Sequence, residues 1–489
     1  MFKNVLKISL ISLAAVSLAS CEKEQSFVSV DNDALRVKVN TLSPEMQKVR
    51  DYVPPMAVAG HRGTIYWAPE ETEASWRWAR EEGVDYLESD LQVSKDGVII
   101  ANHDDNLCRT TDVETVFGEE IPKTRKQFYM NHGCTEAEAE ELYKKDCDSF
   151  EPYYLKSYMY EELLMLDAGK YFNEESEERA MDIFVDNKMY VSTLEDQIKY
   201  AEGYRLKRDT EGKRIFTSTG KWDAKNPYDC IKYTFEYEID PADTGNRPGI
   251  YIEFKESWLQ PQDMVKRVYN ELDRLGWNII TKKEADGEPF YKDGKINVGN
   301  TNGKVILQTF SLSALENVYK VFQGKVPMCF LLWTGNPPYA TDLGVVTPAG
   351  YADFINMAME RGCHIMGPSI AGAPNNYPEL TAPWMAYLVR KSGMLNHPYS
   401  FDSYGQMGKY LGVFDFNREG NDNRNEFSDV LQFKGWGNAT HYGVRLDGLF
   451  TNRAELTISY MYDRGFRNPE APKPLKEQPR DVIRRLYAK

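Results

Sequence analysis

Two histidines, an arginine and two carboxylates fall close together in this chain, in Gly60-His61-Arg62-Gly63, Glu88-Ser89-Asp90 and His103-Asp104. Side chains of these types, converging on one point, suit a metal-bound and negatively charged group, and the chemistry they fit is that of phosphodiesters. Imidazole is the side chain whose ordinary pKa lies near neutrality, so a pair of histidines supplies one proton donor and one acceptor for making and breaking P–O bonds. The run from Asp85 to Val93 reads as a strand, in which Glu88 and Asp90 share one face while Leu87, Ser89 and Leu91 share the other. Two carboxylates inside a sheet must raise a pKa or share a cation, and hard oxygen donors favour Mg2+ or Ca2+. Blander readings exist for each feature: alternate acids also line solvated sheet edges, and a lone histidine is often a hydrogen-bonded core residue.

His61 and His103 each follow a short apolar run, Met56 to Gly60 and Val98 to Asn102, which places each where a strand leaves the core. Around them, His61-Arg62-Gly63, Pro69-Glu70-Glu71-Thr72, Glu88-x-Asp90, Lys95-Asp96-Gly97, His103-Asp104 and Arg109-Thr110-Thr111-Asp112 together resemble the signature of the glycerophosphodiester phosphodiesterases. Leu166-Asp167-Ala168-Gly169, Ser192-Thr193-Leu194-Glu195, the run from Gly249 to Lys255, Leu307-Gln308-Thr309-Phe310, Asn396-His397-Pro398-Tyr399 and Gly448-Leu449-Phe450-Thr451 follow in that family's order. The resemblance therefore runs from about Val53 onward, and it is nearest to the periplasmic bacterial branch.

The resemblance implies an α/β fold, a (β/α)8 TIM barrel with loop insertions. It implies one divalent cation, Ca2+ or Mg2+, held by Glu88, Asp90 and Glu253, with His61 and His103 as general acid and base and with Arg62 and Lys255 on phosphate oxygens. The reaction it implies starts when a glycerol hydroxyl attacks phosphorus and an alcohol leaves; a cyclic phosphate is then hydrolysed to glycerol 3-phosphate. Strand alternation agrees, because Glu253 and Lys255 share a face opposite Ile252 and Phe254. Three departures stand out. The family usually ends its last strand with Thr-Asp-x-Pro where this chain has Thr451-Asn452-Arg453-Ala454, and many members have other small residues where this chain has Gln308-Thr309 before Phe310; both differences are read as touching neither the acids nor the histidines. Relatives often carry an arginine where this chain has Ser400-Phe401-Asp402, so a second phosphate or head-group contact is expected to be missing.

Strand candidates near 56–60, 86–92, 251–255, 305–309, 328–333, 364–367, 394–399 and 446–451 fit eight barrel strands, separated mostly by helix-like stretches such as 71–82 and 351–361. A barrel of this kind is one domain of roughly 250 residues that tolerates insertions. The 489-residue chain is thus expected to hold one barrel over 53–489, with insertions near 113–162 and 203–248 gathered over the strand C-termini to shape substrate access.

A net charge of −15 argues against nucleic acid, which needs a basic face; the expected partner is a small glycerophosphodiester. At the amino terminus, Lys3 and Lys7 precede the apolar stretch from Ile8 to Ala19, which is too short to span a bilayer, and Leu18-Ala19-Ser20-Cys21 is similar to a bacterial lipobox. The expectation is a signal over 1–20, a lipidated Cys21, a polar tether over 21–52, and a lipid-anchored location in the bacterial envelope, on the periplasmic face or the cell surface.

Of the other cysteines, Cys134 and Cys147 are close enough in sequence to pair, Cys329 and Cys363 read as core thiols, and Cys108 has no role in this chemistry. The 415–426 segment has the spacing of an EF-hand loop, but Asp422 at its eighth position favours a solvated loop. His364 and His441 are isolated, whereas His397, at a strand end, is expected to line the pocket. Rival readings are a barrel acting on intact phospholipids or on an inositol phosphodiester, and a non-catalytic surface lipoprotein that binds glycans through some of its 9 Trp and 31 Tyr. Aromatic residues more often pack cores than form sugar platforms.

Overall fold

The structure is a computed structural model that describes residues 33–333, 344–372, 379–412 and 446–488. Cys21 with its signal, the 415–426 loop and His441 lie outside the described residues. Eight parallel strands occur among the described residues at the eight expected places: β1 (Ala57–Gly60), β2 (Tyr86–Val93), β3 (Gly249–Phe254), β4 (Val305–Thr309), β5 (Met328–Leu332), β6 (Ile365–Pro368), β7 (Leu395–Asn396) and β8 (Gly448–Thr451). They pair in chain order from β1 to β7, and β8 pairs with β1. Hydrogen bonds close the ring between β7 and β8: the Asp447 N–H donates to the Asn396 carbonyl at 3.1 Å and the Phe401 N–H to the Phe450 carbonyl at 2.8 Å. The fold is a TIM barrel.

Alternation sorts each strand into two layers. Leu87, Leu91, Ile250, Ile252, Val305 and Leu307 point outward into the main hydrophobic core, toward helices that include α1 (Glu73–Glu82), α2 (Leu194–Ala201), α3 (Met264–Arg274) and α4 (Leu312–Phe322). Residues of the opposite parity, Ala57, Ala59, Tyr86, Tyr251, Ile306, Cys329 and Phe450, fill the barrel. Glu88, Asp90, Glu253 and Gln308 share this inward parity, at the C-terminal end of the barrel where such folds carry their chemistry.

The insertions do not cover the strand ends as expected. No residue of 113–162 or 203–248 lines the central cavity; both are fastened to the flank of the barrel by hydrogen bonds and buried ion pairs. The first supports the His103 loop from outside, where the Leu155 N–H donates to the Asp105 carbonyl and the Leu107 N–H to the Tyr153 carbonyl, both at 2.9 Å. The second is built of two antiparallel strand pairs, Phe216–Gly220 with Ile231–Phe235 nested between Tyr204–Leu206 and Tyr237–Ile239. Arg77 and Arg80 of α1 grip its Asp240 at 2.7 and 2.6 Å, and its Arg214 pairs with Asp196 of α2 at 2.5 Å. Removing one partner of such a buried pair leaves an uncompensated charge, which is why these loops sit fixed on the helices.

The later part of the expected tether is also docked. Ala34, Val39 and Leu42 are buried, and Lys391 donates to the Val37 carbonyl at 2.7 Å. Cys134 and Cys147 are unpaired; Cys134 packs beside Cys230 on one aromatic cluster while Cys147 is exposed. Cys329 and Cys363 are buried, as expected. No described helix is long and apolar enough to cross a membrane.

Glu82 ends α1 almost fully buried at 3% exposure. Burial and the neighbouring carboxylate of Glu455 push its pKa up to about 8. Between the ordinary value near 4.5 and about 8 the unfolded chain has lost this proton while the folded chain keeps it, so stability falls as pH rises through that window. Glu82→Gln is expected to stabilise the fold by on the order of 2 kcal/mol at pH 8 and by little at pH 5. Urea denaturation at the two pH values checks this, and an equal effect at both would contradict it.

Candidate active site

The site begins with the turn that follows β1. Arg62 and Thr64 adopt left-handed backbone conformations, with φ of 48° and 61°, on either side of Gly63 at 85°. Gly63 has no alternative here, because a Cβ would lie 2.5 Å from Ser75 Oγ. Strain on the order of 1 kcal/mol at each non-glycine position is tolerated because the turn aims a donor: the Arg62 backbone N–H donates to Glu88 Oε2 at 2.6 Å.

Strand register then assembles the acids. Asp90 of β2 is level with Glu253 of β3, which is level with Gln308 of β4. Carboxylate oxygens of Glu88, Asp90 and Glu253, all buried, lie within 4.8 Å of one another. Burial first, then the charge on Asp90, pushes the Glu88 carboxyl well above the usual range. Burial also raises Glu253, and although Lys255 pulls the other way its pKa stands at about 8. Asp90 goes in the opposite direction: burial would raise it, but Lys255, His103 and Arg62 together hold it well below the usual carboxylate range.

The cations of the site stand among these acids. Lys255 Nζ lies 2.5 Å from Asp90 Oδ1 and 2.8 Å from Glu253 Oε1. Arg62 Nη1 pairs with Glu70 at 3.2 Å, and its Nε lies 3.3 Å from Asp90 Oδ2 without hydrogen-bond alignment. Asp90 Oδ2 and Gln308 Oε1 are therefore buried oxygens with no hydrogen-bond partner. An all-oxygen set with uncompensated buried acceptors fits a hard divalent cation.

Both histidines open on the same cavity, of about 590 Å3, with Arg62, Lys255 and the three acids. Their outer nitrogens meet different partners. His61 Nδ1 lies 2.7 Å from Asn452 Oδ1, and His103 Nδ1 lies 2.5 Å from Asp104 Oδ1. Burial and Arg62 lower the His61 pKa to about 3. Burial, Lys255 and Arg62 lower that of His103 too, against the pull of Asp90 and Asp104. Asp104 also accepts from Arg109 Nε at 2.6 Å, and Arg109 forks onto both oxygens of Glu70 at 2.7 Å, so one chain of charges links His103 to Arg62.

The seven side chains expected to hold the cation, the phosphate and the protons thus line one cavity, but several of their partners were not anticipated. Gln308 Nε2 donates to Glu88 Oε1 at 2.8 Å, and Glu71 accepts from the Asp90 N–H at 2.6 Å with its own backbone at φ 53°. The paired acids Glu70-Glu71 on a loop were the available signal. Gln308 thus touches an acid, and the segment from Thr451 to Ala454 touches a histidine through Asn452, which corrects the expectation that neither difference would reach the acids or the histidines. His397 does not line the cavity: it is 1% exposed, with its Nε2 filling the space where Gly448 would otherwise carry a Cβ, 2.6 Å away.

Residues 61–257 match the glycerophosphoryl diester phosphodiesterase family. Over 86 residues the chain is 43% identical to the mouse (Mus musculus) glycerophosphoinositol inositolphosphodiesterase GDPD2, covering 18% of this chain and 16% of that protein. Over 74 residues it is 38% identical to the glycerophosphodiester phosphodiesterase of Bacillus subtilis, covering 15% and 22%. The matched stretches thus span less than a quarter of either relative. Among solved structures, the glycerophosphodiester phosphodiesterase of Agrobacterium tumefaciens is 14% identical with a TM-score of 0.40, over 82% of this chain and 98% of that one. An Oleispira antarctica phosphodiesterase in complex with the product sn-glycerol-3-phosphate is 13% identical with a TM-score of 0.40, over 84% and 98%. His61, Arg62, Glu88, Asp90, His103, Glu253 and Lys255 all fall inside residues 61–257, the part of the chain that is similar to the glycerophosphoryl diester phosphodiesterase family.

Proposed function

We propose that this protein hydrolyses glycerophosphodiesters to glycerol 3-phosphate and an alcohol, with one divalent cation, Ca2+ or Mg2+, held by Glu88, Asp90 and Glu253. The observation that carries this reading is the convergence of three buried carboxylates, two histidines, Arg62 and Lys255 on one cavity. When bound, the cation supplies Lewis-acid polarisation of the phosphoryl group. With a cation held by the three acids, the Lys255 ammonium that now pairs with Asp90 and Glu253 would be free, beside the Arg62 guanidinium, to bind phosphate oxygens.

The two histidines divide the proton transfers by their partners. His61 faces a neutral amide rather than a carboxylate, and burial with Arg62 nearby keeps its ring neutral, so its Nε2 is the base that takes the proton of the attacking glycerol hydroxyl. His103 is backed by the Asp104 carboxylate, and a bound phosphodiester adds a second anion nearby, so it carries the proton given to the departing alkoxide. The O–P bond to the alcohol breaks as the glycerol oxygen bonds to phosphorus. Hydrolysis of the cyclic phosphate reverses the roles: the newly neutral His103 takes a proton from water, and protonated His61 returns one to the ring-opening oxygen. We place this activity at the bacterial envelope, on the lipobox-like sequence ending at Cys21.

The test is direct. Purified full-length protein with glycerophosphocholine or glycerophosphoethanolamine is expected to release glycerol 3-phosphate, to stop on chelation, and to resume on adding Mg2+ or Ca2+. Absence of the product with either metal would refute the reading. Running intact phospholipid and glycerophosphoinositol alongside, with the products identified, separates it from phospholipid cleavage and from release of an inositol phosphate.

A further inference from the structure

We propose that Arg109 is a positioning residue that ties Asp104 to the buried Glu70 and so holds the Asp104 carboxylate on Nδ1 of His103. The inference rests on the phosphodiesterase reading for its effect on turnover; its effect on the ring is independent of that reading.

The guanidinium spends its three nitrogens on two carboxylates. Nε donates to Asp104 Oδ2 at 2.6 Å, and Nη1 and Nη2 donate to Glu70 Oε2 and Oε1, both at 2.7 Å. Asp104 is thereby divided, with Oδ2 on Arg109 and Oδ1 at 2.5 Å from His103 Nδ1. An ionised carboxylate only accepts, so this contact places a ring proton on Nδ1 and leaves Nε2 for the substrate. Among the described residues the Asp104 carboxylate has no hydrogen-bond partner besides His103 and Arg109. Its side chain is 32% exposed, and an exposed ion pair is worth little when it stands alone. The far end of the tie changes this. The Glu70 side chain is only 6% exposed and is gripped through both oxygens, a planar fork that lysine cannot offer. The backbone around Asp104 is held separately: Asn102 Nδ2 donates to the Asp104 carbonyl at 2.6 Å, and the Leu155 N–H to the Asp105 carbonyl at 2.9 Å. Loss of Arg109 therefore frees the Asp104 side chain and leaves the loop in place. Glu70 keeps Arg62 as a partner at 3.2 Å, so no buried charge is stranded. A ring whose carboxylate swings into solvent loses the counter-charge that favours its protonated form, and with it part of its strength as the acid.

The experiment reads the ring and the reaction separately. Full-length protein with 15N-histidine is examined by NMR, with the His103 signals assigned by their loss in H103N. The neutral wild-type ring is expected as the Nδ1–H tautomer and that of R109A as a mixture; an R109A ring identical to the wild type overturns the proposal. In the hydrolysis assay, R109A is expected to lower kcat roughly 30-fold on glycerophosphocholine, whose alkoxide needs a proton, and by less than about threefold on the p-nitrophenyl ester of glycerol phosphate, whose leaving group needs none. Equal losses on the two esters would mark a general structural defect and overturn the proposal. In the H103N background R109A is expected to cost nothing further on the choline ester, because the ring it serves is gone; a second loss of the same size overturns the proposal. R109K keeps the charge without the fork and is expected to stay close to R109A, whereas wild-type kcat in R109K would refute the tie to Glu70. Should the wild-type protein hydrolyse no glycerophosphodiester, the proposed function fails, and the ring comparison still decides this inference.

Discussion

Glu253→Gln is expected to abolish both the stabilisation that Mg2+ or Ca2+ confers and the turnover that depends on the cation. Without a cation Glu253 holds its proton to about pH 8 because it is buried beside Asp90, so near neutrality glutamine is a close match in shape and charge. The fold and its stability should therefore survive, which makes the lost response to metal interpretable. In the wild type a cation at a hundredfold excess over its dissociation constant raises stability by about 2.7 kcal/mol. E253Q keeps two of the three carboxylates and cannot contribute an anionic ligand, so this increment is expected to vanish while turnover falls about 1,000-fold or more. Thermal denaturation over a metal titration, together with the hydrolysis assay, measures both quantities. An E253Q protein whose melting temperature still rises with metal as the wild type does would remove Glu253 from the site.

The legible parts of this molecule are those that a single strand reports about itself. Apolar runs locate all eight barrel strands, and the alternation that turns Leu87 and Leu91 outward also turns Glu88 and Asp90 inward. Period two names a face but never the neighbour across it. Gln308 reaches Glu88 from 220 positions away, and Asn452 reaches His61 from 391, contacts created by the ordering of strands around the ring. Likewise the insertions carry charge in the sequence, but only folding shows that Asp240 and Arg214 spend theirs on buried partners of α1 and α2. The segment containing Ala34, Val39 and Leu42 looks polar on average and docks through those few side chains. Composition averages over the residues that decide such contacts.

His103→Asn separates the two proton transfers by the alcohol that leaves. A choline or ethanolamine alkoxide is a strong base and needs a proton as the O–P bond breaks, so loss of the acid is expected to lower kcat about 1,000- to 10,000-fold on those esters. A p-nitrophenyl ester of glycerol phosphate expels a stable anion that needs no proton, and the same variant should release p-nitrophenol within about tenfold of the wild-type rate. His61→Asn removes the base instead, which both substrates require equally, so it should disable both. The contrast follows from the partners in the structure, a carboxylate behind one ring and an amide behind the other. If H103N lost both substrates alike while H61N spared the nitrophenyl ester, the acid and the base would have to change places. If neither variant discriminated between the two leaving groups, proton transfer to the alcohol would not run through either ring.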